Sequence, residues 1–178
     1  MRRGELEHVL RASAAITGHD RFVIVGSQAI HGTIAEPPPA LISSIEVDLF
    51  TERSPEDAEL IDGSIGEGSP FHETFGYYAH GIPAETATLP GGWRYRLVEL
   101  RGPGTRGAVG LCLDAHDLAI SKAVAGRPKD ETFLTQLRRL GVLDSSILME
   151  RLAATELDPR LRVDVEARLR RLLSEADH

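Results

Sequence analysis

Four consecutive apolar residues, Phe22-Val-Ile-Val25, closed by Gly26, constrain the fold more than any other segment, because a short apolar run stopped by glycine reads as a buried strand. A buried strand needs a sheet around it and helices over that sheet. Leu6, Val9, Leu10, Ala14 and Ile16 recur at helical spacing and predict a first helix ending near Gly18. A short second helix is expected after Ser27, broken by Gly32 and by the stiff Glu36-Pro-Pro-Pro39. Ser44-Ile-Glu-Val-Asp-Leu-Phe50 alternates polar and apolar residues, which predicts a half-buried strand with Ile45, Val47 and Leu49 toward the core. Ser54-Pro55-Glu56-Asp57 is a helix start, with Ser as cap, Pro at the first helical position and acids in the first turn, and that helix should run to Ile61 or Ile65. Turn signals at Gly81-Ile-Pro83, Pro90-Gly-Gly92 and Gly102-Pro-Gly104 separate strand-like runs at about 75–80, 93–100 and 108–113, which read as a meander. From Asp114 the pattern is helical, over 114–124, 130–140, 145–154 and 159–173. The order predicts the α/β (α+β) class: a mixed sheet flanked by helices, with a helical C-terminal part.

Length and charge narrow the function classes. At 178 residues one domain is the default, with a sheet core at about 20–113 and a helical part at about 114–178. No apolar run approaches the roughly 20 residues that span a bilayer, and the charged start Met-Arg-Arg-Gly-Glu-Leu-Glu has no export signal, so a cytoplasmic protein with no membrane partner is expected. A net charge of -7 argues against coating nucleic acid by charge alone, so an RNA partner would be met locally. The lone Cys112 lies in the apolar run Val109 to Leu113 and reads as a buried, inert thiol. Eighteen arginines against two lysines make Lys122 and Lys129 conspicuous, because a compact ammonium does what a guanidinium cannot.

The residues that could carry chemistry are few. Gly26-Ser27, between strand and helix, lets a ligand approach the backbone and adds a hydroxyl, or is simply a turn. Glu46 and Asp48, two apart on a strand, leave the same face; they are either its wet side or the hard oxygen ligands of a divalent cation that relieves their repulsion. Lys122 near a helix end and Asp130 near a helix start suit the helix dipoles as well as catalysis, and Arg127 is a phosphate clamp or an exposed side chain. Histidines 31, 72, 80 and 116 lack zinc-type spacing and read as structural or surface residues. Trp93 and tyrosines 77, 78 and 95 read as core or cross-strand residues rather than a base-stacking platform. Arg160, Arg162, Arg168, Arg170 and Arg171 read as a solvated helix face.

A strand ending in Gly26-Ser27, a short helix, and a carboxylate-x-Asp strand about twenty residues on resembles the core motif of the nucleotidyltransferase fold. Leu118-Ala-Ile-Ser-Lys122-Ala-Val-Ala-Gly-Arg127-Pro-Lys-Asp130 resembles the later motif of the toxin-type nucleotidyltransferases, the AbiEii and MenT class, and of uncharacterised bacterial relatives. The resemblance spans about Val23 to Leu140. It implies that Gly26 and Ser27 hold nucleotide phosphates, Glu46 and Asp48 bind magnesium or manganese, Lys122 contacts the triphosphate and Asp130 is a further functional acid. It implies a nucleoside triphosphate substrate, an acceptor hydroxyl on RNA, tRNA or protein, and a toxin with an antitoxin partner. One departure stands out: the family has Asp at the first metal position and this chain has Glu46, one methylene longer. A third carboxylate is expected, with Glu85, Glu99 and Asp114 as candidates. The alternative reading is an inactive binding module that retains the fold.

Overall fold

Strand β1, Arg21–Val25, is central, and Phe22, Val23 and Ile24 are wholly buried. The structure, a computed structural model, describes residues 1–174. The other strands are β2, Glu46–Thr51; β3, Tyr78–Gly81; β4, Val98–Leu100; and β5, Val109–Cys112. They form one mixed sheet in the order β3-β2-β1-β5-β4. β1 pairs antiparallel with β2 and parallel with β5; β2 pairs parallel with β3, and β4 antiparallel with β5. This is the α+β architecture, with a helical C-terminal part, that the pattern of the sequence implies.

The meander is replaced by two separate edges. β3 lies at one edge and β4 at the other, because β3 joins β2 in parallel and a parallel pair requires a crossover. Two helices supply it: α2, Ala58–Ile65, and α3, Pro70–Phe75, the latter capped by Ser69, whose Oγ accepts the His72 amide at 3.2 Å. Helix α3 therefore takes the start of the segment expected as a strand near 75, and left-handed Gly76 ends it. In the first helix, α1, Arg3–Thr17, Leu6, Val9 and Leu10 are wholly buried, α1 packs on α2, and Gly18 ends it at φ 74°.

The helix expected after Ser27 is a 3-10 turn, Ser27–Gly32, pressed on β5: a Cβ at Gly32 would lie 2.6 Å from that of Cys112. Cys112 is buried as expected, and burial pushes its thiol up to about 12. On β2, Val47 and Leu49 are wholly buried, but Ile45 is 50% exposed because it precedes the first paired residue, Glu46.

The chain clusters into two compact units, Met1–Thr86 with Leu97–Leu113, and Ala87–Arg96 with the residues from Asp114 onward. The first holds the sheet and α1 to α3. The second holds α4, Ala115–Ala125; α5, Pro128–Arg139; α6, Ser145–Ala153; and α7, Pro159–Ser174. Helix α4 packs on the other three, so Leu118, Ala119, Ile120 and Ala123 are buried around its circumference. Of the expected strand at 93–100 only Val98–Leu100 pairs. Trp93–Arg96 is a 3-10 turn of the second unit, held there because Arg96 forks onto wholly buried Asp117 through two bonds of 2.9 Å. Tyr95 on that turn is 95% exposed, against the expectation of a core or cross-strand residue. The arginines of α7 are not uniformly solvated: Arg162 donates to Leu152 and Thr155 carbonyls at the end of α6, and Arg168 to the Ala123 carbonyl at the end of α4, where cations meet the negative ends of helix dipoles. Among the described residues no helix is long and apolar enough to cross a membrane.

Candidate active site

Gly26 ends β1 at φ 66°, ψ −164°, a conformation essentially reserved for glycine. Val25 pairs with Asp48 across the antiparallel ladder, and a Cβ on Gly26 would collide with Oδ2 of Asp48. The absent side chain is the space the carboxylate occupies, against the backbone that leads into Ser27. Glu46 and Asp48 are half-buried on one face of β2 while Val47 and Leu49 point into the core, so the alternation read from the sequence brings both acids to the same side as expected.

Each acid is met from β3 by the residue directly opposite in register, Tyr78 for Glu46 and His80 for Asp48. The Tyr78 hydroxyl donates to Oε2 of Glu46 at 2.8 Å, and Nδ1 of His80 lies 3.0 Å from Oδ1 of Asp48. Burial pushes the Tyr78 phenol up to about 12, aided by the bond to Glu46, so the hydroxyl stays a donor. Tyr78 is the core and cross-strand residue that its sequence context implies, and His80 is on the surface, but nothing local in the sequence ties either to the two acids. The available signal is spacing: Tyr78-Ala-His80 repeats the two-residue step of Glu46-Val-Asp48, as residues facing one another on parallel strands must.

The remaining candidates group in the second unit. The Lys122 ammonium, near the end of α4, is buried, 3.1 Å from Oδ1 of Asp130 and 4.3 Å from the Phe133 ring centre. Arg127 forks onto the same carboxylate, Nε to Oδ2 at 2.6 Å and Nη2 to Oδ1 at 3.2 Å. Burial draws Lys122 below the ordinary lysine value, only partly offset by Asp130. Burial opposes ionisation of Asp130 too, but the Arg127 hydrogen bond and the Lys122 charge outweigh it and hold the carboxyl below its ordinary value. The cluster joins α4 to α5 around left-handed Gly126, while Lys129 is exposed.

Two carboxylates on one face of a strand, one of them against a glycine backbone, are hard oxygen ligands of the kind that suits a small divalent cation, since magnesium commonly takes one or two protein carboxylates and completes its shell with substrate phosphates and water. Among the described residues no three His, Cys, Asp or Glu side chains are grouped to hold a metal. Of the third-carboxylate candidates, Glu99 is on edge strand β4 and pairs with Arg21 and Arg101, Asp114 caps α4 by accepting the His116 amide, and Glu85 lies in a 3-10 turn after β3. The chemistry available at β2 is therefore that of two hard oxygen ligands, Glu46 bonded by a phenol and Asp48 met by an imidazole, with Asp48 against a glycine backbone. A family model described as "Nucleotidyltransferase of unknown function (DUF6036)" matches residues 4–173. No curated protein and no solved structure matches the chain.

Proposed function

The chain belongs to this family of nucleotidyltransferases of unknown function, and we propose that it moves a nucleoside monophosphate from a nucleoside triphosphate to a hydroxyl on RNA, tRNA or protein, using magnesium or manganese. The observation that carries this reading is the Asp48 carboxylate seated in the space left by Gly26, with Glu46 beside it on the same face of β2. Glu46 and Asp48 would hold the cation, which when bound supplies charge neutralisation for the triphosphate. Gly26 lets the Asp48 carboxylate lie against the backbone that leads into Ser27, whose backbone and hydroxyl would meet a phosphate of the nucleotide. The acceptor hydroxyl gives up its proton to water, its oxygen bonds to the α-phosphorus as the bond from that phosphorus to the bridging oxygen breaks, and pyrophosphate leaves in line. Tyr78 and His80 hold the two acids at fixed spacing, so that this geometry exists before substrate arrives.

For the second unit the proposal concerns its own residues: Asp130 holds Lys122 and Arg127 as a pair of cations of the kind that contacts a triphosphate. The resemblance to toxin-type enzymes extends the proposal to a cytoplasmic toxin neutralised by an antitoxin. A second reading, a binding module without turnover, has in its favour Glu46 at the first acidic position and the engagement of both acids by β3.

The test is incubation with each labelled nucleoside triphosphate, magnesium or manganese, and total RNA or lysate. Label covalently transferred by the wild type and lost in Asp48→Ala supports the enzyme. Nucleotide binding by calorimetry without transfer supports the module, and an absence of both removes the proposal.

A further inference from the structure

The turn Trp93–Arg96 is built more firmly than its position outside the sheet requires. Arg96 forks onto Asp117, whose carboxylate is wholly buried, and also donates to the Gly91 carbonyl at 3.1 Å. The Gly91 amide donates to the Ala154 carbonyl at 2.8 Å, and within the turn Trp93 and Tyr95 amides donate to Pro90 and Gly92. This scaffold displays little of its own except rings and guanidinium. Arg94 lies 4.5 Å over the Trp93 ring, and Tyr95 stands 95% exposed. A large aromatic ring in water on a rigid support, beside a cation, has the elements of a stacking platform, since every nucleobase offers a π face and every nucleotide a phosphate.

We propose that Tyr95 stacks an unpaired base of single-stranded nucleic acid while Arg94 meets the adjoining phosphate. One observation favours this occupant over a protein. Apart from Trp93, whose ring Arg94 overlies, the exposed neighbours Gly91, Gly92 and Arg94 carry no large apolar side chain, whereas a protein interface needs a broad apolar core around its aromatic anchor. The charge does not oppose it: the second unit, with thirteen basic and twelve acidic residues, is nearly balanced and the turn itself carries Arg94 and Arg96, while the first unit has seven against fifteen and would repel a polyanion. This platform does not depend on nucleotidyl transfer, so binding is read without nucleoside triphosphate, and failure of either reading leaves the other standing.

Trp93, the chain's single tryptophan, reports directly on the turn. A labelled single-stranded oligoribonucleotide of mixed sequence, its DNA counterpart and the duplex are titrated into the full chain, following label anisotropy and tryptophan emission. The expected result is single-strand binding that quenches Trp93 and exceeds duplex binding, weakened on the order of tenfold in Tyr95→Ala and largely kept in Tyr95→Phe. Arg94→Ala should weaken it and flatten its salt dependence. The RNA and DNA arms decide which strand is preferred. Equal binding by wild type and Tyr95→Ala, equal binding of duplex, or no binding at all overturns the proposal. So does the loss in Tyr95→Ala of a protein that co-purifies with the wild type, when the nucleic-acid titration is unchanged.

Discussion

Gly26 and Asp48 are a matched pair of residues, one defined by the side chain it lacks and the other by the carboxylate in that space. Gly26→Ala meets both a left-handed backbone and a collision with Oδ2, so it should lower stability by about 2–3 kcal/mol or push the Asp48 carboxylate aside. Chemical denaturation measures the first outcome; if the chain binds a nucleotide with a metal as proposed, loss of that binding measures the second. Asp130 makes a prediction about pH. Its carboxyl is held below the ordinary 3.8, so the stability that its ionised form contributes is complete above that value and is lost as pH falls through the lowered one. Asp130→Asn should be less stable than the wild type at neutral pH, because it removes the anion opposite a buried ammonium. The gap should narrow as the pH is taken below that ordinary value and through the lowered one, which denaturation at neutral and at acid pH will show. The acids of β2 were legible in the sequence because alternation is local, and so was Lys122, set apart among arginines. Tyr78 and His80 were not, because their role depends on a strand that approaches from far along the chain.

Among the elements, β3 decides most about the candidate site. Tyr78→Phe keeps the ring and deletes the donor to Glu46, which should cost about 1 kcal/mol of stability. If Glu46 and Asp48 hold a cation, manganese affinity measured by calorimetry should also fall roughly tenfold, as for other partners that orient metal ligands. Unchanged affinity would mean that the hydroxyl serves only packing. Helices were readable from their spacing, and the boundaries of α1, α6 and α7 are close to those the pattern implies. Pairing was less readable, because Tyr78–Gly81 and Val98–Leu100 are short and nothing in either says that they take opposite edges. The turn Trp93–Arg96 shows the same limit: its aromatic residues have strand propensity, but Asp117 and its hold on Arg96 decide the outcome.

At the scale of the whole molecule, Arg96 ties the turn from the midst of the strands to the helices of its own unit. Arg96→Ala leaves Asp117 buried with Arg151 as its remaining cation, at 3.4 Å, and breaking such a pair should cost about 3 kcal/mol; urea denaturation of the full chain measures it. Asp117→Asn introduced into Arg96→Ala should recover part of the loss, since a neutral amide needs no counter-charge. Helical composition after Asp114 was legible, but the sequence gives no sign that ten residues from the midst of the strands are claimed by the helices. That claim has a consequence for how the gene can be divided. The chain passes from one unit to the other three times, after Thr86, Arg96 and Leu113, so no single cut yields both units whole. A fragment starting at Asp114 carries the buried acid without its main counter-ion, and one ending at Leu113 carries the counter-ion without the acid. The two units must therefore be inherited together, and a recombination event that exchanged one half for a homologous half would have to preserve the Arg96–Asp117 match across the junction.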